Sequence, residues 1–137
     1  MMSFTLDARL ENSSFKILDW PLSEVRLKNN DYFPWLILIP RVSMEVIEIF
    51  QLEKNQQKRL LNEIAKLSQH VKHYFQAKKI NVGTLGNIVS QLHVHVIARQ
   101  EYDCAWPHSV WHDHVPEKKY DENKRDVIIR DLHKLLR

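Results

Sequence analysis

Apolar residues in the N-terminal third of the chain form three short runs of the kind that β-strands require. Residues 15–18 are the first run, and residues 24–28 alternate charged and apolar side chains, which is typical of a half-buried strand. Residues 35–39 are apolar throughout and end at Pro40, which predicts a strand buried on both faces. Because residues 29–31 are turn formers, we expect the second and third strands to pair antiparallel.

A longer period begins near residue 53 and predicts the main helix. Its apolar side chains recur at intervals of three and four residues, at Leu60, Ile64, Leu67, Val71 and Phe75. This spacing places them on one face of a helix. No glycine or proline interrupts the segment, so the sequence predicts a helix from Glu53 to about Lys78. Residues 44–50 are expected to form a helical turn that leads into it.

The region after this helix predicts two further strands and a loop. Residues 81–85 and residues 92–98 have the short apolar pattern of strands, and the turn between them falls at Gly86 and Asn87. Residues 101–116 then mix prolines, tryptophans and histidines without a period. We expect this segment to be an irregular loop.

The last segment of the chain predicts a C-terminal helix. Its apolar residues follow a helical stripe from Val127 to Leu136 that only Asp131 interrupts, and Asp121 or Asn123 can cap its start. The order of elements is therefore strands, one long helix, two strands, a loop and a last helix. This segregation of strands and helices indicates an α+β fold with a mainly antiparallel sheet.

Composition narrows the class of protein. The length of 137 residues fits a single domain that spans residues 1–137. Apolar residues make up 44% and charged residues 27% of the chain, which excludes disordered, collagen-like and coiled-coil proteins. The net charge of +3 suits an anionic ligand, but the basic residues are scattered and indicate no nucleic-acid partner. Glycine occurs only at Gly83 and Gly86, which excludes a Walker loop and a dinucleotide fingerprint.

Cysteine content and hydropathy bear on the compartment. Cys104 is the only cysteine, so no intramolecular disulfide can form, and we expect it to be a semi-buried structural thiol. Charged side chains interrupt residues 1–15, which predicts no signal peptide. The longest apolar run, at residues 35–39, is too short to span a bilayer. We therefore expect a cytoplasmic protein with no membrane partner.

Residues 91–97 carry the chemical pattern that points most directly to a site. In an extended strand, successive side chains point to opposite faces. Gln91, His93 and His95 would then share one face, while the apolar residues between them pack on the other. Two adjacent imidazoles indicate a site, because a buried histidine needs polar partners. The simpler alternative is a pair of histidines on a partly solvated strand.

Three kinds of chemistry remain open from these residues alone. A zinc site would need a third ligand, for which the candidates are Cys104, His108, His112 and His114. Their spacing matches no compact zinc motif, so no metal site is predicted. The second kind is acid–base catalysis on a neutral substrate. The third is covalent catalysis by one histidine while the other stabilises charge on the transferred group.

The third kind of chemistry agrees with a resemblance to a known family. Residues 86–99, with the sequence GNIVSQLHVHVIAR, resemble the signature of the histidine triad (HIT) family, in which three histidines alternate with apolar residues. The second and third histidines match His93 and His95, and Gln91 stands in place of the first. Trp35 occupies a position at which many members carry a fourth histidine.

The flanking segments extend this resemblance along the chain. Residues 29–35 and residues 105–111 resemble a bacterial subgroup of the family in which glutamine at the first triad position recurs. The resemblance implies a HIT-like fold, an antiparallel five-stranded sheet with one long helix and a C-terminal helix. It also implies that two chains pair into a homodimer with a larger continuous sheet.

The resemblance further implies a nucleotide hydrolase or nucleotidyl transferase. His93 would attack the α-phosphorus of a nucleotide anhydride or phosphoramidate, such as a dinucleoside polyphosphate, and form a covalent nucleotidyl-histidine. His95 would hydrogen-bond a non-bridging phosphate oxygen. The backbone carbonyl of Gln91 would orient the His93 ring. The alternative functions are a nucleotide-binding protein of this fold with little or no turnover and, less favoured, a metal-binding His-x-His protein.

Two asparagines complete the expected substrate site. Asn87 lies in the loop before the triad, and Asn29 occupies a position that contacts the nucleoside in some members. Each can equally be a turn asparagine. No cofactor is expected to be required, although a divalent metal could accompany the nucleotide. Residues 106–111 are expected to form the substrate mouth or a subunit contact, or simply to pack on the sheet.

Overall fold

The structure is a computed structural model that describes residues 4–137. It contains three α-helices and five strands, together with a 3-10 turn at Ile49–Gln51. The helices are α1 (Ala8–Asn12), α2 (Lys54–Tyr74) and α3 (Glu122–Leu136). The strands are β1 (Ser14–Asp19), β2 (Ser23–Lys28), β3 (Trp35–Pro40), β4 (Lys79–Gly83) and β5 (Val94–Arg99).

All five strands form one antiparallel sheet in the order β1-β2-β3-β5-β4. The expected pairing of the second and third strands is confirmed, with Val25 opposite Leu38. Strand β3 is central and buried along its whole length, as its continuous apolar run predicts. The predicted α+β fold with an antiparallel five-stranded sheet is therefore correct, and β1 and β4 form its edges.

One face of the sheet is covered by the two long helices. Leu36 and Leu38 of β3 and Val94 and Val96 of β5 are buried in this core. The helices contribute their predicted apolar faces, with Leu60, Leu67 and Val71 from α2 and Ile128, Leu132 and Leu136 from α3. Asp131 interrupts the α3 stripe without harm, because it accepts a 2.8 Å hydrogen bond from the Tyr74 hydroxyl.

The opposite face has a smaller apolar core and is covered by α1 and the irregular segment 101–116. That core contains Trp35, Ile37, Ile39 and Ile97 from the sheet, with Leu10, Phe33 and Val110 above them. The sheet is thus apolar on both sides at its centre. Only this second face carries the histidines.

Several predicted boundaries differ from the structure. Helix α2 ends at Tyr74 instead of continuing to about Lys78, because Gln76 adopts a left-handed conformation with φ of 54°. Strand β4 begins and ends two residues earlier than residues 81–85. The predicted helical turn in residues 44–50 is short and occupies Ile49–Gln51.

The expectation that Cys104 is semi-buried is wrong, because its side chain is exposed in the loop after β5.

Among residues 4–137, no helix is both long enough and apolar enough to cross a membrane.

Candidate functional site

The two histidines lie where β5 begins. The prediction that residues 91–97 form one strand is partly wrong, since Gln91 and His93 precede Val94, the first residue of β5. The reason is that strand pairing ends there: the last β3–β5 pair joins Leu38 to Val94 although β3 continues to Pro40, and β4 ends at Gly83 opposite His95. His93 and His95 nevertheless lie on the same side, since both line one cleft.

His93 is held by the backbone two residues earlier. Its Nδ1 lies 2.7 Å from the carbonyl oxygen of Gln91, and the residue is only 5% exposed. A carbonyl oxygen can only accept, so Nδ1 carries the ring proton and Nε2 keeps its lone pair. The pKa of His93 is lowered because burial disfavours the charged ring, and the charge of Lys28 adds to this; the Gln91 carbonyl and Asp7 oppose it.

His95 is held by a side chain of the neighbouring strand. The indole Nε1 of Trp35 donates a 2.9 Å hydrogen bond to Nδ1 of His95, and both residues are buried. Because an indole N–H can only donate, Nδ1 of His95 is unprotonated and Nε2 carries the proton. Burial, then His93, then Lys28 lower the pKa of His95 to about 3.

The Nε2 atoms of the two rings therefore differ in protonation. Nε2 of His93 is a base and a potential nucleophile, whereas Nε2 of His95 is a hydrogen-bond donor. The ring centroids are 4.8 Å apart and the rings meet edge to face at 77°. Such a pair can act on one phosphate group: His93 can attack the phosphorus while His95 donates a hydrogen bond to one of its oxygens.

Both histidines line one cleft of about 390 Å³. Trp35 and Trp111 form its aromatic wall, and residues 85–89 form the opposite rim. Asn87 lies on this rim, which agrees with its predicted place next to the histidines. The chain also has a larger cleft of about 660 Å³ between α2 and the β1–β2 turn, but no histidine lines it.

The Gln91 side chain does not line this cleft. Its amide nitrogen donates to the carbonyl of Thr5 and its amide oxygen accepts from the backbone of Asp7, both at 2.8 Å. The side chain thus secures the segment before α1, while the backbone carbonyl orients His93. The expectation of an amide beside the two imidazoles is not met, because both ends of the amide are used elsewhere.

Asn29 is likewise engaged away from the histidines. Its side-chain oxygen accepts a 2.9 Å hydrogen bond from the backbone of Tyr120. It lines a second cleft of about 390 Å³ next to the first, and Lys28 lies on the walls of both clefts. A ligand would have to extend past Lys28 to reach from the histidines to Asn29.

The pattern along the sequence did not point to Lys28. Its ammonium lies 5.1 Å from the centre of the Trp35 ring, and its charge lowers the pKa of both His93 and His95. The alternation of β2 shows that Lys28 shares a face with Arg26. Only the pairing of β2 with β3 reveals that this is also the face of the histidines.

Trp111 comes from the irregular segment and completes the aromatic wall. Its ring meets those of Trp35 and His95 edge to face, with centroids 6.2 Å and 5.5 Å away. Gly83 makes room for it, since a Cβ there would come within 2.8 Å of the Trp111 ring. The expectation that residues 106–111, the tryptophan loop, form a substrate mouth remains a prediction, but the position of Trp111 beside His95 agrees with it.

Arg9 joins α1 to the rim of the cleft. Its guanidinium pairs with the Asp7 carboxylate at 2.9 Å and donates to the carbonyl of Ile88 at 3.1 Å. Among residues 4–137 there is no cluster of three or more histidine, cysteine, aspartate or glutamate side chains suited to a metal ion.

Comparison with known proteins agrees with this geometry. The family model described as the HIT domain matches residues 9–102. A histidine triad protein from Marinobacter aquaeolei is 40% identical over 98% of this chain and 96% of its own, with a TM-score of 0.92. A histidine triad protein from Sinorhizobium meliloti is 39% identical over 96% of both chains, with a TM-score of 0.91.

A third structure, a histidine triad protein from Bradyrhizobium japonicum, is 36% identical over 96% of this chain and 97% of its own, with a TM-score of 0.92. The chain therefore belongs to the histidine triad (HIT) family. A search of functionally curated proteins found no match.

Proposed function

We propose that this HIT-family chain binds a nucleotide and acts as a hydrolase or nucleotidyl transferase at the α-phosphate of a nucleotide anhydride or phosphoramidate. The observation that carries the proposal is the opposite protonation of two histidines in one cleft. The Gln91 carbonyl leaves Nε2 of His93 basic, and the Trp35 indole leaves Nε2 of His95 protonated. These protonation states support a role for His93 as the nucleophile and for His95 as the donor to the developing charge.

The proposed reaction has two displacements at phosphorus. Nε2 of His93 forms a bond to the α-phosphorus, and the bond to the leaving group breaks, so that the leaving group departs with the electron pair. His93 keeps its Nδ1 proton, and the Gln91 carbonyl stabilises the resulting positive ring. Water then attacks the same phosphorus and gives its proton to solvent. The bond from phosphorus to Nε2 breaks, its electron pair returns to the His93 ring, and the nucleoside monophosphate is released. A phosphate acceptor in place of water gives transfer.

The charges around the cleft support an anionic substrate. Lys28 makes no ion pair with any residue in the described range 4–137, so its ammonium is available to a phosphate. His95 donates from Nε2 to a non-bridging oxygen as negative charge grows there. We also propose that Asn87 contacts the substrate from the rim and that Asn29 contacts its far end beyond Lys28.

The test replaces the nucleophile and compares it with a histidine outside the cleft. His93→Ala should lower turnover of a dinucleoside polyphosphate and of an adenosine phosphoramidate by about 10³-fold or more. It should also abolish the mass increase of one nucleotidyl group in acid-quenched wild-type protein. His108→Ala, an exposed histidine, should retain both. Wild-type turnover by His93→Ala would rule out the proposal.

A second candidate is a nucleotide-binding protein with little turnover. The observation that favours it is that the Gln91 side chain is bonded to Thr5 and Asp7, so the first triad position contributes no titratable group to the cleft. Calorimetry with a nucleoside monophosphate separates the two candidates. Tight binding without hydrolysis of either substrate class would favour the binding protein over the enzyme.

We further propose a homodimer and no requirement for a metal. Strand β4 is an edge of the sheet, and the side chain of Val82 on it is 47% exposed, which suits pairing with a second copy. Sedimentation velocity should give the mass of two chains. Turnover should persist after chelation of divalent metals, unless the nucleotide itself must carry one.

A further inference from the structure

The hydrogen bond from Trp35 restricts the states that His95 can adopt. The indole nitrogen lies 2.9 Å from Nδ1 of His95, and both residues are more than nine-tenths buried. An indole N–H donates but cannot accept, and it does not titrate between pH 5 and 8. As long as this bond is made, Nδ1 must stay unprotonated. The doubly protonated ring is therefore excluded, as is the neutral ring with its proton on Nδ1.

We propose that Trp35 is a positioning residue that holds His95 as a neutral Nε2–H donor, and that the site therefore favours leaving groups that depart from phosphorus without a proton. The preference among leaving groups rests on the proposed function. The ring state of His95 does not, and it can be tested without any turnover.

The charged groups around His95 act in the same direction. Lys28 on β2 and the neighbouring His93 both disfavour a positive charge on His95, and burial disfavours it most. Of the other charged groups on the cleft, Arg9 is paired with Asp7, whose charge acts on His93. Glu117 is exposed at the cleft wall. An unprotonated Nδ1 is thus favoured by both the hydrogen bond and the surroundings.

Trp35 is itself held firmly. It begins the central strand β3 opposite Ile97, the Trp111 ring meets it edge to face, and the Lys28 ammonium lies over it. Trp111 also meets the His95 ring edge to face, with centroids 5.5 Å apart, but within the described residues it makes no hydrogen bond to it. The two tryptophans therefore form a matched pair, since both contact His95 and only Trp35 donates.

The protonation of His95 decides which leaving groups are easy. A neutral imidazole donates a hydrogen bond but is too weak an acid to surrender its proton at neutral pH, whereas an imidazolium can. When the bond between the α-phosphorus and a bridging oxygen breaks, a phosphate or polyphosphate leaves as a stable anion and needs no proton. An amine leaving a phosphoramidate does need one. The ring state imposed by Trp35 thus selects an anhydride over a phosphoramidate.

The ring state can be measured directly by nitrogen-15 NMR of histidine-labelled protein. In the wild type, His95 should show an unprotonated Nδ1 and a protonated Nε2 that do not change between about pH 8 and 5. Trp35→Phe keeps an aromatic ring but removes the donor, so His95 should show mixed neutral forms and titrate at a higher pH. Trp111→Phe should leave the His95 signals as in the wild type.

Two results would overturn the role of Trp35. One is a wild-type His95 that carries a proton on Nδ1 or titrates within that pH range. The other is a Trp35→Phe protein whose His95 signals match the wild type. If Trp35→Phe fails to fold, the wild-type spectrum by itself still decides the ring state.

The kinetic arm compares two substrates on the same preparations. Wild-type kcat/KM should be higher for a dinucleoside polyphosphate than for an adenosine phosphoramidate. Trp35→Phe should narrow this ratio by about tenfold below neutral pH, because His95 gains an imidazolium form able to act as an acid. A wild-type preference for the phosphoramidate would overturn the selection. If neither substrate is turned over, the proposed function fails while the NMR result stands.

Discussion

The two faces of the sheet are built from alternating residues of the same strands, yet they are covered in different ways. On one face, the apolar sides of α2 and α3 pack over residues such as Leu38 and Val96. On the other, a five-residue helix and the segment 101–116 cover Ile37, while His95 borders a cleft. The long helices bury the centre of their face. A face covered by loops leaves concave space next to buried polar groups.

The loop-covered face needs polar bonds to hold its cover in place. Arg99 is 1% exposed and forms a bidentate pair with the Asp103 carboxylate at 2.8 Å and 3.0 Å. Asp103 also accepts from the backbone of Ala105 and Trp106, at the start of the tryptophan loop. Burial tends to raise the pKa of Asp103, but the Arg99 guanidinium and the backbone N–H groups hold it below its usual value.

The largest effect is expected from breaking this pair. Asp103→Ala leaves the Arg99 guanidinium buried without its carboxylate, which costs ~3–5 kcal/mol of unfolding free energy. It should also release the tryptophan loop from the cleft. Urea denaturation measures the loss, and Asp113→Ala is the control because that exposed aspartate lies in the same segment. Equal stability of the two variants would mean that this face does not depend on the pair.

A substitution in the core of the helix-covered face should lower the stability of the protein without changing the histidine site. Leu67 on α2 is fully buried, so Leu67→Ala should cost ~2–5 kcal/mol of unfolding free energy through lost burial and a cavity. The NMR signals of His95 should stay as in the wild type, because Leu67 lies on the other side of the sheet. Leu61→Ala on the same helix, at a side chain 67% exposed, should change little. A shifted His95 signal in Leu67→Ala would show that the faces are coupled.

Acid should destabilise the folded protein through His95. The pKa of His95 is about 3 in the folded protein and near 6.5 when unfolded, so the unfolded chain binds more protons between these values. Stability is therefore full above about pH 6.5 and falls as the pH drops towards 3, by ~1–2 kcal/mol from pH 6.5 to 5. His95→Gln, which does not titrate, should flatten this dependence in denaturation curves. An unchanged slope in that variant would contradict the assignment.

The smallest effect expected is on substrate binding. Lys28→Met should raise KM for a nucleotide by about tenfold, since it removes a cleft cation that makes no ion pair within residues 4–137. It should also raise the pKa values of His93 and His95, because the Lys28 charge lowers both. Lys58→Met, which lines the distant cleft beside α2, is the control. Identical kinetics of the two variants would show that Lys28 does not contribute to substrate binding.

Periodicity predicted most of the fold because its signals are local. The apolar run of β3, the stripe of α2 and the alternation around His95 each depend on neighbouring residues, and each appears in the structure at nearly the predicted place. The predicted ends of the helices and strands were less accurate. The left-handed residue Gln76 shortens α2, and the end of strand pairing at Val94 shortens β5. Neither feature follows from hydropathy.

The features of the candidate site also divide into those that the local sequence determined and those that it did not. Sequence alone determined that His93 and His95 lie side by side and that Asn87 is near them, because all three belong to one short segment. Only tertiary structure decided what each ring can do. Trp35 reaches His95 from another strand, Lys28 arrives through the pairing of β2 with β3, and the Gln91 side chain binds the N-terminal segment instead of the cleft. The protonation of a buried histidine depends on its partners in space, and those partners are distant in the chain.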